Sequence, residues 1–332
     1  MTPFTFKALV AEEIKGEFTQ SIQTVSSSQL PDHDVLIQVH YSSLNYKDML
    51  SATGQPGITD QYPLTPGIDA SGIVFKSSDK RFKEGDKVIV TSYDLGMNTP
   101  GGFGNFISVP GDWIVPLPEH LSLRESMMIG TSGLTAAMGV HKILNQGIQP
   151  SDGEVVVTGS TGAVGSFAIA LLSKLGFKVT AITGKTDEST FLHSIGADKI
   201  VSRFDLDLQK ARPLLSSKWI AGVDCVGGDL LDYILRQTAH NGMITCCGNV
   251  AGDRLNTSIY PFILRGVSLH GIDSGIARMA DRLSVWNKLS GEWQFNKEQI
   301  CKFITLLELP DEIRKMQNAQ QIGKVVIQLP VS

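Results

Sequence analysis

Cysteine is scarce. The chain has four in 332 residues, Cys225, Cys246, Cys247 and Cys301. None forms a C-x-x-C pair and two are adjacent, a spacing that argues against a secreted disulfide scaffold. Long apolar runs are missing too. No stretch approaches the ~18–20 residues a membrane helix needs. The opening Met1-Thr-Pro-Phe-Thr-Phe-Lys7 lacks the apolar core of a signal peptide. Basic runs are absent: Lys plus Arg number 29 against 33 Asp plus Glu, a formal net charge of −4. That balance argues against general binding to a nucleic-acid backbone, while leaving room for a local basic pocket around one phosphorylated ligand. A soluble, reduced, cytoplasmic protein with neither membrane nor nucleic acid as partner is expected.

What is present is core material. Apolar residues make up 42% and charged residues 19%, which excludes wholesale disorder. At roughly 100–200 residues per domain, the length implies about two domains. The first third reads as β-rich. Val35–Tyr41 alternates apolar and polar residues, and 72–75, 87–90 and 106–109 look like further strands. Gly and Pro punctuate them. Near residue 122 the pattern changes. Ser122 and Glu125 form a capping pair at a helix start. Strands at 154–158, 178–182, 199–201, 221–226, 243–247 and 267–271 then alternate with helices at 163–175 and 188–195. This α/β alternation implies a doubly wound parallel sheet. A helix at 277–289 precedes a terminal strand at 324–329, which has no helix after it and should join the β-rich part. The expected division is 1–125, completed by 273–332, around 126–272.

The strand at 154–158 runs into Gly159-Ser-Thr-Gly162-Ala-Val-Gly165. The spacing is a variant of the dinucleotide-binding turn: one glycine for the tight turn, one for backbone approach to a pyrophosphate, one for close packing of helix on strand. The helix N-terminus adds free N–H groups and partial positive charge. At the end of the next strand, NAD-binding folds carry an acid for the ribose hydroxyls. Here the residues are Thr183-Gly184-Lys185, with Arg203 after the third strand. Lys185 and Arg203 suit a 2′-phosphate, which predicts NADPH.

Other constellations carry less. The seven histidines form no H-x-H or H-E-x-x-H pattern, and Ser160 lies outside any G-x-S-x-G. Cys246-Cys247 falls on a core strand, where buried structural thiols are the default, with a redox role left open.

Several segments together resemble the medium-chain dehydrogenase/reductase superfamily: Gly67-Ile-Asp-Ala-Ser-Gly-Ile-Val74, Glu84-Gly-Asp-Lys-Val-Ile89, Gly101-Gly-Phe-Gly-Asn-Phe106 and the Gly159–Gly165 turn. The likeness spans nearly the whole chain. It implies a GroES-like β-rich catalytic domain and a Rossmann domain. Ser42-Ser-Leu-Asn-Tyr-Lys-Asp48, Pro63-Leu-Thr-Pro-Gly-Ile-Asp69, Gly111-Asp-Trp-Ile-Val115, Ile129-Gly-Thr-Ser-Gly-Leu-Thr135 and Pro261-Phe-Ile-Leu-Arg265 resemble its acryloyl-CoA reductase (NADPH) subfamily, often labelled quinone oxidoreductases. Zinc-dependent relatives carry Cys-His where this chain has Asn45-Tyr46, and Gly-His-Glu where it has Gly67-Ile68-Asp69. Asn, Tyr and Ile do not replace thiolate and imidazole, so no metal is expected.

The resemblance implies cofactor contacts at Tyr46, Thr161, Gly162, Ala163, Val164, Thr183, Gly184, Lys185, Arg203, Gly248, Asn249 and Ser274. Having Thr-Gly-Lys rather than the commoner Ser-Gly-Arg at 183–185 keeps the charge but loses the fork. The implied reaction is metal-free hydride transfer from NADPH to the β-carbon of an activated alkene, with acryloyl-CoA as first substrate and a quinone or other enone as second. A non-catalytic NADPH-binding protein is a third reading. Tyr46 and Asn45 are the candidate catalytic groups, Asn45 as a donor to the product enolate. The family habit of pairing the sixth Rossmann strand across a two-fold axis implies a homodimer.

Overall fold

A computed structural model describes residues 2–209 and 212–330. The expected outer limits at residues 1 and 332 lie outside the described residues. The chain divides into two compact units. Unit 1 holds the residues up to Thr131, Gly275–Ser290 and those from Cys301 on. Unit 2 holds Ser132–Ser274 and Gly291–Ile300. The sequence reading gave all of 273–332 to the first unit; residues 291–300 belong instead to the second. The reason is aromatic packing: Phe295 meets Phe167 edge-on at 5.0 Å, and Trp293 meets His141 at 5.8 Å.

Unit 1 begins with an antiparallel hairpin, β1 (Thr5–Ile14) and β2 (Glu17–Ser26). Then come β3 (Val35–Leu44), α1 (Tyr46–Ala52), β4 (Asp69–Ser77), β5 (Lys87–Thr91), β6 (Phe106–Val109), β7 (Ile114–Pro116) and the start of α2 (Leu123–Asn145), whose residues from Ser132 on belong to unit 2. The alternation at 35–41 does what it predicts: Val35, Ile37 and Val39 are fully buried among Val74, Val90 and Ile107. Ser122 and Glu125 cap α2 as expected, Glu125 N–H donating to Ser122 Oγ at 3.1 Å and Ser122 N–H to Glu125 Oε2 at 2.9 Å. One residue inside α2 departs from helix geometry: Gly130, at φ 51° and ψ −162°.

Unit 2 carries β8 (Glu154–Thr158), α3 (Ala163–Lys174), β9 (Val179–Thr183), α4 (Ser189–Ser194), β10 (Lys199–Ser202), β11 (Trp219–Asp224), α5 (Gly228–Arg236), β12 (Thr238–Cys246), α6 (Tyr260–Arg265) and β13 (Ser268–Gly271). The six strands pair in parallel in the order β10-β9-β8-β11-β12-β13. This is the doubly wound order. Its direction reverses between β8 and β11, where such sheets open a crevice at their carboxyl ends. Val156, Ile182, Trp219, Leu231 and Ile244 lie in one buried cluster of this unit.

The chain then adds α7 (Met279–Ser290), β14 (Cys301–Thr305), α8 (Leu309–Gln317) and β15 (Lys324–Gln328) to unit 1. β15 pairs antiparallel with β3 and parallel with β14, so the terminal strand joins the first sheet. Among the described residues no helix is long and apolar enough to cross a membrane.

Candidate active site

In unit 2 the glycine turn follows β8 and opens α3. Gly159 has φ +60°, a left-handed conformation that glycine adopts without steric cost. A Cβ on Gly165 would stand 2.4 Å from the Gly159 carbonyl oxygen, so the third glycine is what lets α3 close on the strand. Gly162 is the N-cap of α3 and no side chain caps this end. The first-turn N–H groups, Ala163 and Val164 among them, have no acceptor within the helix. Thr161 is buried within the turn.

The carboxyl ends of β9 and β10 lie side by side, with Ser202 opposite Thr183. Arg203 therefore lies over Gly184: a Cβ there would be 2.8 Å from Arg203 Nε. The guanidinium also stands over the Phe204 ring at 4.8 Å. Thr183 Oγ1 accepts from Lys185 N–H at 2.9 Å. Burial pushes the Lys185 ammonium below its ordinary range, and Glu188 partly offsets this. Two cations thus share one corner of the sheet.

Across the switch point, the fully buried Asp224 ties β8 to the turn after β11. Its carboxylate accepts from Thr158 Oγ1 at 2.6 Å and from Gly227 N–H at 2.8 Å. Burial raises its pKa, and these donors oppose the shift. Beyond lies a groove of about 690 Å³, lined by Gly227, Cys247, Gly248, Asn249 and Asp273 among others. Gly248 is obligatory there, since a Cβ would meet the Cys225 carbonyl oxygen at 2.3 Å. Ser274 is buried, its Oγ 2.5 Å from Thr135 Oγ1.

In unit 1, Tyr46 opens α1 and is 45% exposed, whereas Asn45 is buried. Asn45 anchors a network that sequence reading missed. Its Nδ2 donates to Asp69 Oδ2 at 2.8 Å and to the Ser43 carbonyl at 3.1 Å. Its Oδ1 accepts from Lys324 Nζ at 2.9 Å. Asp69 also accepts from Ser43 Oγ at 2.6 Å, Thr131 N–H at 2.8 Å and Thr131 Oγ1 at 2.5 Å. Lys324 Nζ stands 3.6 Å from the Asp69 carboxylate, and both residues are fully buried. Asp48 accepts from the N–H groups of Asn45 and Ile68, each at 2.7 Å. Burial, with Asp69 as the second cause, pushes Asp48 up to about 7 against the pull of those N–H groups and Lys324. Burial likewise pushes Lys324 down, with Asp69 and Asp48 opposing. The Asn45 amide is thus engaged within unit 1. Its Nδ2 and Oδ1 are both partnered there.

A family model described as the alcohol dehydrogenase GroES-like domain matches residues 31–119, and one described as zinc-binding dehydrogenase matches 163–286. The acrylyl-CoA reductase AcuI of Ruegeria pomeroyi is 38% identical over 325 residues, 97% of this chain and 98% of that one. YhfP of Bacillus subtilis, which carries a quinone oxidoreductase name, is 40% identical over 326 residues, 98% of this chain and 99% of the other. This chain belongs to the medium-chain dehydrogenases/reductases, quinone oxidoreductase type. The crystal structure of the Salmonella enterica YhdH oxidoreductase in complex with NADP superposes with a TM-score of 0.95 at 40% identity, covering 98% of this chain and all of that one. Bacillus subtilis YhfP with NAD bound gives 0.95 at 40%, with the same coverage.

This member of the family is an oxidoreductase, and its own residues fit a dinucleotide. The uncapped start of α3, the glycines whose side chains would block the turn and the paired cations at β9 and β10 form a cradle for phosphates. The zinc of the second model's description fits less well. Asn45 and Asp69 are committed to Lys324, and Ile68 offers no donor atom. Among the described residues no three His, Cys, Asp or Glu side chains stand close enough to hold a metal.

Proposed function

We propose that this medium-chain reductase uses NADPH to reduce the activated C=C bond of a small acyl-CoA, acryloyl-CoA giving propionyl-CoA, without a metal. The observation that carries the substrate is the end-to-end likeness to AcuI, at 38% identity. When bound, NADPH supplies the hydride. The protein's part is to hold it. The N–H groups of Ala163 and Val164, beside Thr161 and Gly162, receive the pyrophosphate. Thr183, Gly184, Lys185 and Arg203 receive the 2′-phosphate, and having Thr-Gly-Lys rather than an acid at 183–185, where β9 ends, favours NADPH over NADH. Gly248, Asn249 and Ser274 flank the nicotinamide ribose. Tyr46, exposed at the start of α1, contacts the cofactor. Asn45 fixes that start, and water delivers the α-carbon proton. Lys324 stands where a metal's positive charge would otherwise balance Asp69, which supports zinc-independent chemistry.

The quinone oxidoreductase name of YhfP favours a second acceptor class, a quinone or simple enone. NADPH oxidation measured with acryloyl-CoA, with a quinone, and with NADH in place of NADPH separates the two. Turnover confined to NADPH with acryloyl-CoA is expected. Turnover with quinone alone would discard the CoA assignment, and silence on both acceptors would move the reading to an untested enone or to a non-catalytic NADPH-binding role.

The protein works as a cytoplasmic homodimer on this reading. β13 is an edge of the parallel sheet. Ile259, Ile263 and Leu264, at and before α6 in the same unit, are 64%, 62% and 54% exposed. An unpaired strand edge beside an apolar patch is suited to pairing with a second copy.

A further inference from the structure

Two thiols stand outside this chemistry. β11 and β12 run parallel with Asp224 opposite Cys246. The ladder extends one step further, since Cys247 N–H donates to the Asp224 carbonyl at 2.9 Å. Cys225 and Cys247 are therefore neighbours, and their sulfurs are 3.9 Å apart. Both are free and half-buried. Adjacent strands lie ~4.8 Å apart, which falls within the ~4.4–6.8 Å Cα separation that a disulfide accepts. Side-chain rotation is then the main movement needed to bond the sulfurs.

Their surroundings give the pair a consequence. Cys247 lines the 690 Å³ groove. Cys225 touches both glycine positions that shape the site: its Cβ would lie 3.2 Å from a Cβ on Gly159, and its carbonyl oxygen 2.3 Å from one on Gly248. Cys246 lines the same groove but packs against the apolar core of unit 2, and the sulfur that stands 3.9 Å from Cys225 is that of Cys247.

We propose that Cys225 and Cys247 form a reversible oxidation site that takes a hydroperoxide and closes to a disulfide, weakening dinucleotide binding. The Cys247 sulfur attacks a peroxide oxygen, giving a sulfenic acid and one water from hydrogen peroxide. The Cys225 thiol then attacks that sulfur, forming the S–S bond and releasing the second water. Two thiols lose two electrons and two protons, and one peroxide is reduced to two waters. Cys247 beside it and burial hold the Cys225 thiol well above its ordinary range, which suits the slower, second step. Closing the bond turns the Cys225 side chain, whose Cβ packs on Gly159, toward Cys247, and any backbone adjustment that remains falls on the Cys225 carbonyl that packs on Gly248. The weakening of binding rests on the dinucleotide reading above; the disulfide does not.

The test treats the full-length protein with hydrogen peroxide, maps its peptides by mass spectrometry without reduction, and titrates NADPH by fluorescence before and after. A Cys225–Cys247 linked peptide is expected, with NADPH affinity at least tenfold weaker and restored by dithiothreitol. Cys225→Ser and Cys247→Ser should abolish the link, and Cys246→Ser should keep it. No link, or a link through Cys246, overturns the site. A correct link with unchanged affinity overturns its control of binding. If the reduced protein fails to bind NADPH, the cofactor reading and that control fall together, while the peptide map still decides the disulfide.

Discussion

Lys324 donates from Nζ to the side-chain oxygen of Asn45 at 2.9 Å, a bond between residues 279 positions apart. It joins the last strand of the chain to the start of α1, where Tyr46 stands. Removing the cation leaves Asp69 and Asp48 buried together without a counter-charge. Lys324→Met should therefore lose about 3–5 kcal/mol of stability, the usual cost of breaking a buried pair on one side. Urea unfolding measures it. The double variant with Asp69→Asn should lose less than Lys324→Met alone; equal or greater loss would mean the two groups are not coupled.

The pH dependence of stability follows from Asp48. Its folded pKa, about 7, lies above the ordinary value of 3.8. Between those values the folded protein holds a proton that the unfolded chain has released. Stability from this group is thus fully present below the unfolded pKa and is lost as pH rises toward 7. Asp48→Asn should remove up to one proton from the slope of stability against pH between about 4 and 7. Parallel slopes for the two proteins would contradict the shift.

Gly130 combines a positive φ with a crowded position. A Cβ there would stand 2.4 Å from Asp69 Oδ2, 2.5 Å from Ser43 Oγ and 2.9 Å from Lys324 Nζ. Gly130→Ala should cost at least about 3 kcal/mol, combining left-handed strain with displacement of a buried charge network. A thermal midpoint within a few degrees of wild type would show that the network yields easily.

At the cationic corner, Lys185→Ala should raise the KM for NADPH about tenfold and leave that for NADH nearly unchanged, as expected for loss of about 1.4 kcal/mol of charge-assisted binding. Arg203→Ala should act in the same direction. Equal effects on both cofactors would remove the 2′-phosphate role.

Much of this was legible in the sequence because its signals are local. Alternation at 35–41 marks β3, the Ser122–Glu125 pair marks the start of α2, and strand–helix alternation marks unit 2 as a parallel, doubly wound sheet. The β1–β2 hairpin escaped notice: β2 reads Glu-Phe-Thr-Gln-Ser-Ile-Gln-Thr-Val-Ser, half-exposed along its length, with too few apolar residues to announce a strand. The buried network escaped for another reason. Asp48, Asp69 and Lys324 are far apart in the sequence, and it takes two pairings, β3 with β4 and β15 with β3, to bring them together. Gly130 was hidden because its flanks are helical and a left-handed residue leaves no local trace in composition.

The itinerary of the chain has a practical consequence. The polypeptide passes between units at 131/132, 274/275, 290/291 and 300/301. A fragment ending at 274 would lack β14 and β15, and with β15 the strand that pairs along β3. Grafting unit 2 onto another scaffold would take four splice junctions, and a deletion library should find neither half expressible from one uninterrupted stretch of gene.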